Sequence, residues 1–243
     1  MAEQALDRQR LKAVLFDLDG TLYRQDALRR AMLLRLVRAH VRRPLRGLRT
    51  MRALSAYRAA QEHLRAAGAA CTPHADLAHA QLRLACERSR ATPEFVAACV
   101  RRWMEEEPLD LVQRTIQPGL MAFVHAARAR GVRLGVLSDY PAQAKLEVLG
   151  LEGLLEVVLT AQSPDVGVFK PHPRGLQVAL ERLGLSASEC VYVGDRAEVD
   201  GAAAAAVGMP CFILTGRRGA PSAPQPWVQV ADFRHLQTLV LGS

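Results

Sequence analysis

Asp17 and Asp19 flank Leu18 in the run Ala13-Val14-Leu15-Phe16-Asp17-Leu18-Asp19-Gly20-Thr21. Side chains two apart on an extended chain leave the same face, so the two carboxylates project together and Leu18 turns away. Paired carboxylates at the end of a buried strand repel each other and resist desolvation unless a cation sits between them. Gly20 permits a sharp turn and a close backbone approach to a ligand, and Thr21 adds a hydroxyl. Further candidates recur along the chain: Ser138-Asp139 after an apolar run, Lys170 in Val168-Phe169-Lys170-Pro171, and Gly194-Asp195 with Asp200 beyond it. Oxygen-only donors are hard ligands that suit Mg²⁺ rather than zinc. A divalent cation beside a lysine and a serine makes a pocket for a phosphoryl group. Alone, Asp-Leu-Asp-Gly also fits a strand that ends in an ordinary turn. The recurrence of chemistry at strand ends is what favours a site.

The elements that must position these groups are legible as texture. Ala13 to Phe16 reads as a strand buried on both faces. From Gln25 to about Gln113 alanine, leucine and arginine dominate, and Pro44, Pro73, Pro93 and Pro108 divide the segment into helices. Thr72-Pro73 and Thr92-Pro93 each place an N-cap before a first-turn proline. Beyond Gln117-Pro118-Gly119, helix and strand alternate. Expected strands cover Val132–Leu137, Glu156–Leu159, Cys190–Val193 and Cys211–Leu214; expected helices cover Leu120–Arg130, Ala142–Leu149, Pro173–Leu183 and Val199–Val207. A last short strand and helix follow the proline-rich Pro221 to Pro226. This alternation specifies an α/β fold, a Rossmann-like parallel sheet covered by helices on both faces. The expected division is a core of 1–22 and 114–243, with an all-helical cap of 23–113 inserted after the first strand. Such an insertion lies where open α/β sheets bind ligands.

Composition narrows the class. The chain has 243 residues, half of them apolar, with 32 basic and 24 acidic side chains. That is enough to bury a substantial core, and it excludes a disordered or collagen-like chain. No apolar run approaches the roughly 18 residues that cross a bilayer, and no secretory signal is evident. Five dispersed cysteines form no close pair, which points to reduced thiols and a cytoplasmic protein. Residues 24–70 hold twelve arginines against Asp26 and Glu62, whereas lysine occurs only at Lys12, Lys145 and Lys170.

With these residues in place, the chain resembles the haloacid dehalogenase-like hydrolase superfamily, most closely its helical-cap phosphatases. The resemblance rests on Asp17-Leu18-Asp19-Gly20-Thr21, Ser138, Lys170, and Gly194-Asp195 with Asp200. It implies that Asp17 is a nucleophile forming an aspartyl-phosphate. Asp19 would protonate the leaving oxygen and then accept a proton from water. It further implies Mg²⁺ held by Asp17, the Asp19 main-chain carbonyl and Asp195, with Asp200 nearby, and Thr21, Ser138, Asp139 and Lys170 around the phosphoryl oxygens. Dehalogenases of the family lack an acid at the Asp19 position, so its presence points to phosphate monoesters and a small phosphorylated metabolite. Three positions depart from the family pattern: Asp139 in place of asparagine, Arg196 in place of a small residue, and His172 in place of an acid.

Other signals carry less. Cys71, His74 and His79 fit no closed zinc spacing, and Glu105-Glu106-Glu107 reads as a solvated helix end. Arg29, Arg30, Arg35, Arg38, Arg42, Arg43, Arg46, Arg49 and Arg52 are interleaved with Leu28, Met32, Leu36, Leu45, Leu48, Met51 and Leu54. This fits an amphipathic helix pair with an exposed basic face; arginines turned into the cleft to attract an anionic substrate are a second reading. There is no clear nucleic-acid signal, since only Tyr57 could stack on a base there. A phosphoglucomutase-like phosphotransferase and a non-catalytic binding module that uses the basic helices are the competing functional classes. The oligomeric state is not encoded in any of these features.

Overall fold

The computed structural model describes residues 8–68, 76–216 and 225–242. Its strands are β1 (Ala13–Phe16), β2 (Arg133–Ser138), β3 (Val157–Thr160), β4 (Cys190–Gly194), β5 (Cys211–Leu214) and β6 (Val228–Val230). They form a six-stranded sheet in the order β3-β2-β1-β4-β5-β6, and every pairing is parallel. β1 is therefore the switch point from which the chain winds outward in both directions, and ligands bind in the crevice at such points.

Alternation along each strand fills both faces. Val14, Phe16, Leu134, Val136, Val191 and Val193 turn to one side and pack with Phe123 and Phe233. Those aromatic side chains come from α6 (Leu120–Ala129) and α10 (Phe233–Leu241). Ala13, Leu15, Leu137, Cys190, Tyr192 and Ile213 turn to the other side. They pack against Leu176, Ala179 and Leu183 of α8 (Arg174–Leu183). Each fully buried Leu or Phe contributes roughly 2 kcal/mol, which ties both layers to the sheet and makes it a rigid base for its strand ends.

Between β1 and β2 the chain is helical: α1 (Gln25–His40), α2 (Pro44–Gly68), α3 (Leu77–Ser89), α4 (Pro93–Val100), a π-helical turn Arg101–Glu106, and α5 (Leu109–Arg114). These helices have a core of their own around Leu36, Leu54, Tyr57, Val96, Val100 and Trp103. Thr92 caps α4 by accepting from the Phe95 N–H, and Asp76 caps α3; Thr72, Cys71 and His74 lie outside the described residues. The two passages between helices and sheet run side by side. The Arg24 N–H donates to the Thr115 carbonyl at 2.8 Å and the Gln117 N–H to the Leu22 carbonyl at 3.0 Å.

Two expectations are corrected. The helix anticipated at Val199–Val207 begins as a π-helical turn, Ala197–Gly201, before α9 (Ala202–Ala206). The Asp200 carboxylate accepts the N–H groups of Asp195 and Arg196 and folds that segment around itself. At the α1–α2 elbow, the apolar residues do not all turn inward. Leu45 and Leu48 are 77% and 64% exposed, because this turn lies beyond the end of the helical core.

Candidate active site

Strand β1 delivers Asp17 to the sheet edge, and Asp195 arrives there from the end of neighbouring β4. Gly20 makes this convergence possible. Its φ is +105°, and a Cβ there would stand 2.1 Å from Asp195 Oδ2. Gly194 does the same for Asp200, whose carboxyl carbon lies 2.4 Å from the position of a Cβ. Carboxylate oxygens of Asp17, Asp195 and Asp200 lie within 4.8 Å of one another. Lys170 enters opposite and donates to Asp17 Oδ1 at 2.5 Å, to Asp200 Oδ1 at 2.7 Å and to the Tyr192 hydroxyl at 3.0 Å.

The charge balance is incomplete. Burial pushes the Asp17 carboxyl well above the usual carboxylate range, against the pull of Lys170. Burial and the neighbouring Asp200 charge raise Asp195 to about 7. Burial opposes the Lys170 charge, yet Asp17 and Asp200 together hold its proton above the usual lysine range. Three converging carboxylates with one ammonium, two of them pushed toward protonation, are a donor set with uncompensated negative charge. Hard oxygen donors of this kind fit a divalent cation such as Mg²⁺. Asp17, Asp195 and Asp200 are the side chains that would hold it.

Asp19 stands apart from that cluster. Its carboxylate accepts from Lys145 Nζ at 2.6 Å and from the Tyr23 hydroxyl. Burial acts to raise its pKa, but the Lys145 charge and these hydrogen bonds outweigh burial and hold it below the usual value. The resting group is thus an ionised carboxylate aimed into the same cavity.

The remaining expected residues take specific places. Thr21 and Ser138 are fully buried. The Thr21 hydroxyl donates to Asp17 Oδ2 at 3.1 Å, and Ser138 Oγ accepts the Tyr140 N–H at 3.2 Å. The Thr21 hydroxyl thereby braces the Asp17 carboxylate, and Ser138 Oγ braces the turn that follows β2. Asp139 is paired with Arg65 of α2 at 2.9 Å, and Arg65 also donates to the Lys170 carbonyl at 3.1 Å. Arginine at this point explains a carboxylate where the family more often has asparagine. His172 accepts the Arg174 N–H, and Arg196 reaches Glu198 and, across the cavity mouth, Glu62 of α2.

Lys145, Tyr23, Tyr192 and Arg65 were not singled out by sequence reasoning. Lysine is rare in this arginine-rich chain, and two of its three lysines meet the acidic groups here. That rarity was the available signal for Lys145. Arg65 was hidden among its neighbours, because nothing in a helical run says which arginine faces the sheet. A cavity of about 440 Å³ opens above these groups and is also lined by Arg29 and Arg58.

A family model for haloacid dehalogenase-like hydrolases matches residues 11–208, spanning the sheet strands β1 to β4 and every residue of this site. The chain belongs to that family. A phosphoglycolate phosphatase of Rhodospirillum rubrum is 32% identical over 84% of this chain and 79% of its own length. A glyceraldehyde 3-phosphate phosphatase of Methanopyrus kandleri is 30% identical over 92% of each chain. Among solved structures, a haloacid dehalogenase-like phosphatase from Thermococcus onnurineus superposes with a TM-score of 0.65 at 23% identity, covering 96% of this chain and 99% of its own. A 2-haloacid dehalogenase from Pseudomonas syringae gives 0.63 at 20% identity, covering 96% and 99%. These two likenesses establish a shared fold.

Proposed function

We propose that this hydrolase cleaves phosphate monoesters of small molecules by a two-step transfer through Asp17. The observation that supports this most is the separation of duties between two carboxylates on one strand end. Asp17 sits in the acidic cluster against Lys170, whereas Asp19 stands outside it, against Lys145 and Tyr23. In the first step an Asp17 oxygen attacks phosphorus, the ester P–O bond breaks, and Asp19 gives its proton to the departing alkoxide. In the second, Asp19 takes a proton from water, which attacks phosphorus, and the Asp17–phosphorus bond breaks to release phosphate. An arriving phosphate dianion raises the proton affinity of Asp19 and offsets the hold of Lys145, so Asp19 takes up from solvent, as the ester binds, the proton that it then donates. A bound Mg²⁺ would supply charge neutralisation at the phosphoryl oxygens. Lys170 keeps Asp17 oriented, and the helices of 23–113 act as the cap that covers the cavity and excludes water.

The acid at position 19 supports this reading over dehalogenation, since a halide leaves without a proton. The relatives that act on phosphoglycolate and glyceraldehyde 3-phosphate support the same chemistry. The test is release of inorganic phosphate from p-nitrophenyl phosphate and a panel of phosphorylated metabolites with Mg²⁺ present. Asp17→Asn is expected to reduce turnover at least 1,000-fold, on the order of a lost nucleophile, with an unchanged circular dichroism spectrum. Full activity in that variant would overturn the assignment.

A further inference from the structure

The cavity has two chemically different halves. Its floor is the charged group just described, whereas its walls toward the helices carry a hydrocarbon stretch alongside the polar side chains of Gln25, Arg29, Ser55 and Arg58. Leu28, Met32 and Leu36 of α1, Leu54 of α2, and Trp103 and Met104 of the π-helical turn all face it. Leu28, Leu36, Leu54 and Trp103 are buried, and the last three also belong to the helical core. The wall is therefore held by the same packing that holds the helices together and stands ready before a ligand arrives. Met32 and Met104 are the adaptable members, with flexible, polarisable side chains that conform to varied shapes. Exposed Leu33 and Met51 extend this surface to the mouth.

Size and polarity together restrict the alcohol that fits. A volume of about 440 Å³ lies in the range of roughly 300–1,000 Å³ that buries drug-sized ligands. A two- or three-carbon phosphorylated acid or aldehyde would engage the floor and find polar partners in Arg29 and Arg58, but it would leave the hydrocarbon stretch of the wall wetted. We propose that the substrate is a monophosphate ester of an apolar alcohol, a chain or ring of about six carbons or more. Its phosphate would sit on the floor and its hydrocarbon portion against α1, α2 and the π-helical turn. This rests on the phosphatase reading above and assigns the substrate class of that same site.

Straight-chain primary alkyl phosphates test it, because ethyl, butyl and hexyl phosphate share one leaving-group chemistry and differ only in apolar length. With Mg²⁺ present, kcat/KM is expected to rise about threefold per methylene. Hexyl phosphate should exceed ethyl phosphate by about 80-fold, and also exceed phosphoglycolate and glyceraldehyde 3-phosphate by at least tenfold on the same scale. Met32→Gln and Met104→Gln, each on a half-buried position, should lower the hexyl-to-ethyl ratio about fivefold or more. A flat alkyl series, an unchanged ratio in both variants, or a preference for either short metabolite ester overturns the proposal while p-nitrophenyl phosphate is still hydrolysed. If p-nitrophenyl phosphate and every ester are inert, the phosphatase reading itself has failed and the substrate class falls with it.

Discussion

Asp19 faces Lys145 and Tyr23, while Asp17 faces Lys170 and two other acids, and this difference sets distinct tasks for neighbours on one strand end. It also makes their roles separable by experiment. kcat/KM reports the steps through first phosphoryl transfer, where only the proton-donating task of Asp19 counts. Asp19→Ala is expected to lower kcat/KM for an alkyl phosphate by about 100-fold or more, the usual scale of general acid catalysis, but for p-nitrophenyl phosphate by less than tenfold, since that leaving group departs without a proton. Equal losses for both esters would contradict the acid role. Asp17, Asp19, Lys170, Asp195 and Asp200 were legible in the sequence because each follows a buried apolar run or its loop, and a parallel sheet gathers such ends at one rim. The partner of Asp19 was not legible. Lys145 lies on α7 (Gln143–Val148), and a helix position carries no mark of the strand end it will overhang.

Helix α2 links the helical core to the loops at the sheet rim. Arg65 pairs with Asp139. Beside it, Tyr140 donates its hydroxyl to Gln61 Oε1 at 2.5 Å and stacks near Tyr57 at a centroid distance of 6.2 Å. The loop after β2 is thereby locked to the helical segment through an ion pair between buried Arg65 and half-buried Asp139. Arg65 keeps Glu62 at 3.2 Å and the Lys170 carbonyl when Asp139 is removed, so Asp139→Ala is expected to cost about 2 kcal/mol, the scale of a lost hydrogen bond to a charged group. Urea denaturation should show it, and Asp139→Ala with Arg65→Met together should cost less than the sum of the separate changes. Additive losses would mean that the two side chains act independently. The strands were legible to within a residue or two, since their apolar runs are bounded by glycine and aspartate. The π-helical turn at Ala197–Gly201 was not, because its cause is a side chain folding back on its own backbone, which leaves no periodic trace.

Charge is divided across the molecule, with arginine massed on α1 and α2 and acid gathered at the sheet rim. Among the described residues no helix is long and apolar enough to cross a membrane. Because the rim holds more negative charge than Lys170 offsets, cation binding should stabilise the whole fold. At Mg²⁺ about 100-fold above its dissociation constant the gain is about 2.7 kcal/mol, or roughly 5–10 °C in Tm for a chain of this size. Thermal melts with Mg²⁺ and with EDTA would show it, and Asp195→Asn should abolish the difference; an equal rise in that variant would place the ion elsewhere. Finally, the paired hydrogen bonds Arg24 to Thr115 and Gln117 to Leu22 mean that the polypeptide leaves the sheet and returns to it through one narrow doorway. To the sheet, some ninety intervening residues are topologically no more than a long turn, and closing a loop of ninety rather than four costs only about 3 kcal/mol. Evolution can exchange that whole segment, and with it the choice of what enters, while the reacting carboxylates keep their places.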